Sequence, residues 1–162
     1  MAAVDYFLKI DGVDGESTDK VNKGFIDVES WSWGESNGSS HAVGAGSGAG
    51  KVSMQDFHFT MKMNKATPKL MLACATGQHI KSATLTCRRA GGKQEDFLKI
   101  KFENVLVSSY QTGGSSGANI LPMDQISLNF SKIEFEYKPQ KADGSLDSPV
   151  KAGYDVKQNV KV

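Results

Sequence analysis

The sequence predicts a mainly β protein, a closed or nearly closed β-barrel of eight or nine strands with one short α-helix. Three observations predict it. Most of the chain consists of stretches that alternate apolar and polar residues, the period of a strand with one buried face. Three of these stretches change phase partway along, as strands do when they bend around a closed or nearly closed barrel. One segment alone carries the boundary residues of a helix.

The phase change is plainest in residues 126–138. Ile126, Leu128 and Phe130 are apolar on even positions, whereas Ile133, Phe135 and Tyr137 are apolar on odd ones. A straight strand would leave half of these groups in water, so the spacing predicts a bulge or bend near Ser131 and Lys132. Ile26 and Val28 give way to Trp31 and Trp33 with a slip at Glu29 and Ser30. Val52 and Met54 give way to Phe57, Phe59 and Met61 with a slip at Gln55 and Asp56. The same slips would arise if a partner or a second copy of the chain covered the outer face.

Val4–Ile10 alternates Val4, Tyr6, Leu8 and Ile10 as a first strand, ended by the turn-forming residues Asp11, Gly12, Asp14 and Gly15. Residues 26–35 make the strand that holds both tryptophans. Residues 36–50 are rich in Ser and Gly and longer than a hairpin needs, the kind of loop that usually serves a function. A strand over 52–62 follows. The helix is predicted by Thr67 as its cap, Pro68 in its first turn and Gly77 past its end, with Leu70, Met71 and Cys74 on one stripe. Residues 80–89 form the next strand, and 97–102 and 105–111 two short ones. Residues 112–118 are a second Gly-rich loop, and 139–149 a surface excursion. Tyr154, Val156, Gln158 and Val160 make a closing edge strand. No repeat and no linker interrupts this order, so 1–162 reads as one domain.

Composition narrows the function. With 39% hydrophobic and 23% charged residues the chain is of ordinary globular make-up, long enough for a proper core. A net charge of +1 forces no basic face, which argues against nucleic acid as a partner. No run approaches the eighteen apolar residues of a membrane-spanning helix. The start, MAAVDYFLKIDG, lacks the basic and apolar regions of a secretory signal, so export would need dedicated machinery. Cys74 and Cys87 are too few for a disulfide scaffold and read as core thiols.

Candidate chemistry is sparse. Gly50 and Lys51 resemble the end of a phosphate-binding loop, but Ala45 and Val52 stand where that motif needs Gly and Ser or Thr, and a strand follows instead of a helix. His41, His58 and His79 show no metal-ligand spacing, and no cofactor is implied. Ser47 lies between Gly46 and Gly48, not at nucleophile-elbow spacing, so the chain does not read as an enzyme. Trp31 and Trp33 share one strand face. They suit a barrel core or a subunit interface; the alternative is a carbohydrate-binding β-sandwich module that uses them as a stacking platform. The unprotected strand at 154–160 offers an edge for pairing, although Lys157 and Lys161 could blunt it.

Nine segments in order carry a resemblance that spans essentially the whole chain: VDYFLKI, WSWG at 31–34, GAGKV at 48–52, DFHFT at 56–60, KATPKLMLACATG, RRAGG at 88–92, LVSSYQTGGS at 106–115, YKPQKADGS at 137–145 and AGYDVKQNV at 152–160. The sequence resembles the Hcp (haemolysin-coregulated protein) family, the tube component of bacterial type VI secretion systems. The resemblance implies a two-sheet barrel with a lateral helix, assembled as homohexameric rings that stack into an exported tube. It implies a VgrG-type spike, a contractile sheath and small secreted effectors held in the lumen as partners. It implies a protein of the bacterial cytoplasm that the type VI system then secretes without a cleavable signal peptide. By the same resemblance Ser32, Gly113, Gly114 and Ser115 line the lumen. His41, Gly44, Gly46, Gly48, Gly50 and Lys51 belong to an arm reaching a neighbouring subunit or ring, and Gly91, Gly92 and Lys157 lie near the ring faces.

Overall fold

The computed structural model of the chain describes residues 4–38, 51–89, 94–117 and 121–162. Among them are twelve strands and one helix. The strands are β1 (Val4–Ile10), β2 (Ile26–Val28), β3 (Ser30–Ser32), β4 (Glu35–Asn37), β5 (Val52–Met54), β6 (Phe57–Lys62), β7 (Ile80–Arg89), β8 (Asp96–Gly113), β9 (Met123–Asn129), β10 (Lys132–Tyr137), β11 (Val150–Asp155) and β12 (Val160–Lys161). The helix α1 (Thr67–Thr76) lies between β6 and β7. The count exceeds the eight or nine expected because three alternating stretches are each divided at a bend, and because β4 and β12 are further short strands.

The strands form two main sheets. Sheet A has the order β12-β11-β10-β8-β7-β1-β2, and sheet B is β3-β6-β9 continued by the second half of β8. A small β4–β5 ribbon stands apart. Every phase slip in the sequence marks a change of sheet. The chain leaves sheet A at Val28 and enters sheet B at Ser30, it passes from the ribbon to sheet B between Met54 and Phe57, and it returns from sheet B to sheet A across Phe130 and Ser131. Moving between sheets packed face to face requires one extra residue, so that the apolar side keeps pointing inward.

Segments 97–102 and 105–111, expected as separate strands, are one continuous strand that serves both sheets. Residues from Asp96 to Val105 pair with β7, Leu98 to Glu103 pair with β10, and Leu106 to Gly113 pair with β9. The bend falls at Asn104, which has a left-handed backbone (φ 54°). Its Nδ2 donates to Ser131 Oγ at 2.9 Å, and Ser131 N donates to the Glu103 carbonyl at 3.0 Å, so the two bends at this corner hold each other.

The inward residues of both sheets make one core running from Leu8 to Ile133. Phe57 sits at its centre, 4.7 Å from Phe102, 6.0 Å from Phe59 and 6.2 Å from Trp31 between ring centroids. Trp33 packs on Phe135 and Phe130 and donates its indole N–H to the Gln55 carbonyl at 2.9 Å. Aromatic pairs of this kind contribute about 1 kcal/mol each beyond their burial.

The helix differs from expectation in its start and its stripe. Ala66, not Thr67, is the N-cap; Thr67 is already helical, and Asn64 Oδ1 accepts from the Ala66 N–H at 2.8 Å. The buried face is Thr67, Leu70 and Ala73, whereas Met71 is exposed and Cys74 half-buried. Thr67 is taken inward because its hydroxyl donates to Asp124 Oδ2 at 2.6 Å, which sets the rotation of the helix on sheet B. Gly77 ends the helix in the left-handed conformation, as expected. Cys87 is buried, and burial, helped by Asp96, pushes its thiol up to about 12.

The closing edge strand expected over 154–160 is instead a hairpin. β11 ends at Asp155, Val156 to Asn159 turn the chain with Asn159 at φ 58°, and β12 returns beside it. Val162 N donates to the Gly153 carbonyl, and a Cβ at position 153 would lie 2.9 Å from both Glu134 Cγ and Val162 Cγ2. Only glycine fits there without displacement.

Candidate functional site

The outward side of sheet B carries a surface of uniform polar chemistry. Because β3, β6, β9 and the second half of β8 turn their apolar residues inward, the alternate positions point out and fall into rows across the strands. One row is Ser32, His58, Ser127 and Ser109; the next is Ser30, Thr60, Gln125 and Gln111. A third joins Lys62, Met123 and Gly113. The first two rows line a shallow hollow of about 410 Å³.

Two pairs of side chains in these rows bond one another. Ser30 Oγ and Thr60 Oγ1 lie 2.6 Å apart, as do His58 Nδ1 and Ser127 Oγ. At one end, Asp56 accepts from Ser108 at 2.6 Å and Asn129 at 2.9 Å. At the other end, Lys62 and Glu29 form an exposed ion pair at 3.7 Å. Between these ends the two rows carry hydroxyls, amides and one imidazole, and no carboxylate, lysine or arginine. The surface offers many weak hydrogen-bonding groups and no strong field.

Beneath the face, Asp124 on β9 is fully buried. It accepts from Thr67 on the helix and from the Tyr110 hydroxyl at 3.2 Å on β8. Burial raises the Tyr110 phenol, the Thr112 hydroxyl counteracts it, and the Asp124 carboxylate adds to the rise. This three-way tie fixes the helix against the inner side of sheet B.

Ser32 lies in the first row, exposed, directly opposite His58. Gly113 ends β8 at the edge of the same face, and Gly114 and Ser115 follow it, exposed. The structure thus places Ser32 and Gly113 in sheet B, with Gly114 and Ser115 continuing from the end of β8. Lys51 is exposed just before β5, and Lys157 is exposed in the β11–β12 turn, away from sheet B. His41, Gly44, Gly46, Gly48, Gly50, Gly91 and Gly92 lie outside the described residues. Ser109, Gln111, Gln125 and Ser127 were not singled out from the sequence, and His58 was weighed only as a metal ligand, although each is an outward position of an alternating strand. Trp31 and Trp33 are half-buried against core aromatics instead of forming an outward platform. No group of three or more His, Cys, Asp or Glu residues suited to a metal ion occurs among the described residues, and no helix there is long and apolar enough to cross a membrane.

A two-sheet barrel with a pinned lateral helix and a neutral, polar outer face on sheet B is the build of a subunit that presents surfaces to other molecules. The comparisons with known proteins agree. The family described as "Type VI secretion system effector, Hcp" matches residues 7–137. The chain is 50% identical over 160 residues to protein Hcp1 of Pseudomonas aeruginosa, a match spanning 98% of each. It is similar to the crystal structure of Hcp1 from Salmonella typhimurium, with 34% identity, TM-score 0.79 and both chains covered in full. It is also similar to the structure of a type six secretion system protein, with 33% identity, TM-score 0.92, and 99% and 100% of the two chains covered. The chain belongs to the Hcp family of type VI secretion proteins. These relatives support the reading as a type VI secretion tube protein and lend none to the carbohydrate-binding alternative.

Proposed function

We propose that this chain is the repeating subunit of a type VI secretion tube, closing into six-membered rings that stack, with the outer face of sheet B turned to the bore. The observation that supports the reading is the character of that face, with two rows of Ser, Thr, Gln and one His and no charge between Asp56 and Lys62. A bore that passes cargo of varied sequence must hold it by many weak contacts and reject none by charge or by an apolar patch. Ser32 and the Gly113, Gly114 and Ser115 segment are then cargo-contacting positions, and His58, Gln111 and Gln125 join them.

The remaining assignments follow from the family. The stacked rings carry a VgrG-type spike at one end and sit within a contractile sheath. Small effectors ride in the bore, and the protein assembles in the cytoplasm before export. The subunit serves as a carrier and brick and catalyses no reaction. Lys51, at the end of the Gly-rich stretch 41–51, and Lys157 and Gly91–Gly92 belong to contacts between subunits or rings.

Negative-stain images and gel filtration test the reading. The purified protein is expected to give annular particles and an apparent mass several times 17.5 kDa. Ser32→Arg and Ser115→Arg are each expected to keep the rings and reduce the effector that co-purifies with them. A lone monomer at every concentration would overturn the ring, and undiminished effector in both variants would remove sheet B from the bore.

A further inference from the structure

The two ends of sheet A are unlike. Beyond β10 the β11–β12 hairpin continues the sheet, and β12 is an edge with no strand on its far side among the described residues. Val150, Val160 and Val162 on this hairpin are 64%, 45% and 54% exposed. Lys151, Lys157 and Lys161 accompany them, exposed and without an ion pair among the described residues.

At the opposite end, beside β1 and β2, a hollow of about 490 Å³ is lined by Val4 and Tyr6 and by the carboxylates Asp5, Asp19, Asp27 and Glu29. Arg88 neutralises Asp19, and Lys62 pairs with Glu29. Asp5 and Asp27 have no such partner among the described residues. Burial pushes the Asp27 carboxyl up, the Ser17 hydroxyl opposes this, and Asp5, Asp19 and Glu29 add to the rise.

We propose that the lysine-flanked valines of the β11–β12 hairpin seat in the carboxylate-lined hollow beside β1 and β2 of an adjacent copy, so that opposite ends of sheet A close the ring. The inference rests on the ring reading above and names the surfaces that make it. A head-to-tail ring needs two different, mutually complementary surfaces on one chain, and these two differ in both shape and sign. A two-fold contact would set lysines against lysines or carboxylates against carboxylates. The projecting valines meet the apolar part of the hollow, while the lysines supply the charge that Asp5 and Asp27 lack. The contact leaves the outer face of sheet B uncovered.

Complementation between charge-reversed variants tests the proposal. Asp5→Lys with Asp27→Lys in one protein, and Lys151→Glu with Lys161→Glu in another, change exposed residues that hold no internal ion pair. At about 0.1 M salt, where screening acts over about 10 Å, each variant alone is expected to run at the monomer mass of 17.5 kDa. An equimolar mixture is expected to regain rings with the two variants alternating, because every mixed contact then joins opposite charges. Should a double reversal fail to fold by circular dichroism, Asp27→Lys mixed with Lys161→Glu gives the same readout. Rings formed by either double variant alone, or a mixture that stays monomeric, would overturn the proposal. A monomeric unaltered protein would instead overturn the ring itself.

Discussion

Arg88 is 4% exposed and carries its charge inward, where its Nε and Nη1 each lie 3.0 Å from a carboxylate, of Asp96 and Asp19 respectively. Its guanidinium also stands 5.7 Å from the centre of the Phe7 ring. One side chain thereby ties the loop before β2 to the start of β8. Removing a buried partner leaves charge unpaired in a poor solvent, which costs more than the pair itself contributes. Arg88→Met is expected to destabilise the fold by about 3 kcal/mol, read from urea unfolding. The same cluster sets an acid limit. The Asn22 N–H holds the Asp19 carboxyl below its ordinary 3.8 against the effect of burial, and Arg88 lowers it further. A carboxylate depressed in the folded state contributes stability above its unfolded value and loses it as pH falls through the folded one. Urea midpoints should therefore drop on acidification below about pH 4, and Asp19→Asn should flatten that part of the drop.

At the scale of elements, the bends decide the architecture. Asn104 allows β8 to serve two sheets because its short amide side chain tolerates a left-handed backbone and reaches Ser131. Asn104→Gly is expected to change stability by less than about 1 kcal/mol, and Asn104→Val to cost about 2 kcal/mol, since a branched Cβ clashes at positive φ. Thermal unfolding of the pair separates backbone strain from loss of the side-chain hydrogen bond. Much of this was legible beforehand. The slips at Glu29, at Gln55 and Asp56, and near Ser131 each mark a transfer between sheets, because a period of two cannot change phase without a bend. The move from Leu98, Ile100 and Phe102 to Val105 and Val107 is the same signal, but it reads equally as the end of one strand and the start of another. What patterning could not supply was long-range pairing. Thr67 turns inward only because Asp124, 57 residues later, is buried beside it, and the terminal hairpin exists only because Asn159 adopts a turn conformation that neighbouring alternation conceals. The outer face of sheet B was half legible. Its residues are the polar positions of alternating strands, but nothing local tells which four strands lie side by side.

At the scale of the whole molecule, mass action links assembly to stability. On the interface proposed above, ring closure would remove Val150, Val160 and Val162 from water and pair Asp5 and Asp27, so folded subunits would gain free energy that unfolded chains do not. The melting temperature of the unaltered protein should rise by a few degrees as its concentration is raised a hundredfold, followed by scanning calorimetry. The Asp5→Lys, Asp27→Lys protein should melt at one temperature throughout.

The passage of β8 from sheet A into sheet B has a mechanical side. Two sheets joined only by side-chain contacts can slip when pushed from one end, since nothing but dispersion forces resists. Here a continuous backbone crosses between them, and the Asn104–Ser131 bond clasps it to a second crossing at the same corner. Sliding one sheet over the other would have to stretch covalent bonds. A subunit so braced passes an axial thrust to the next as a rigid block, and it yields, if at all, at the joints between copies.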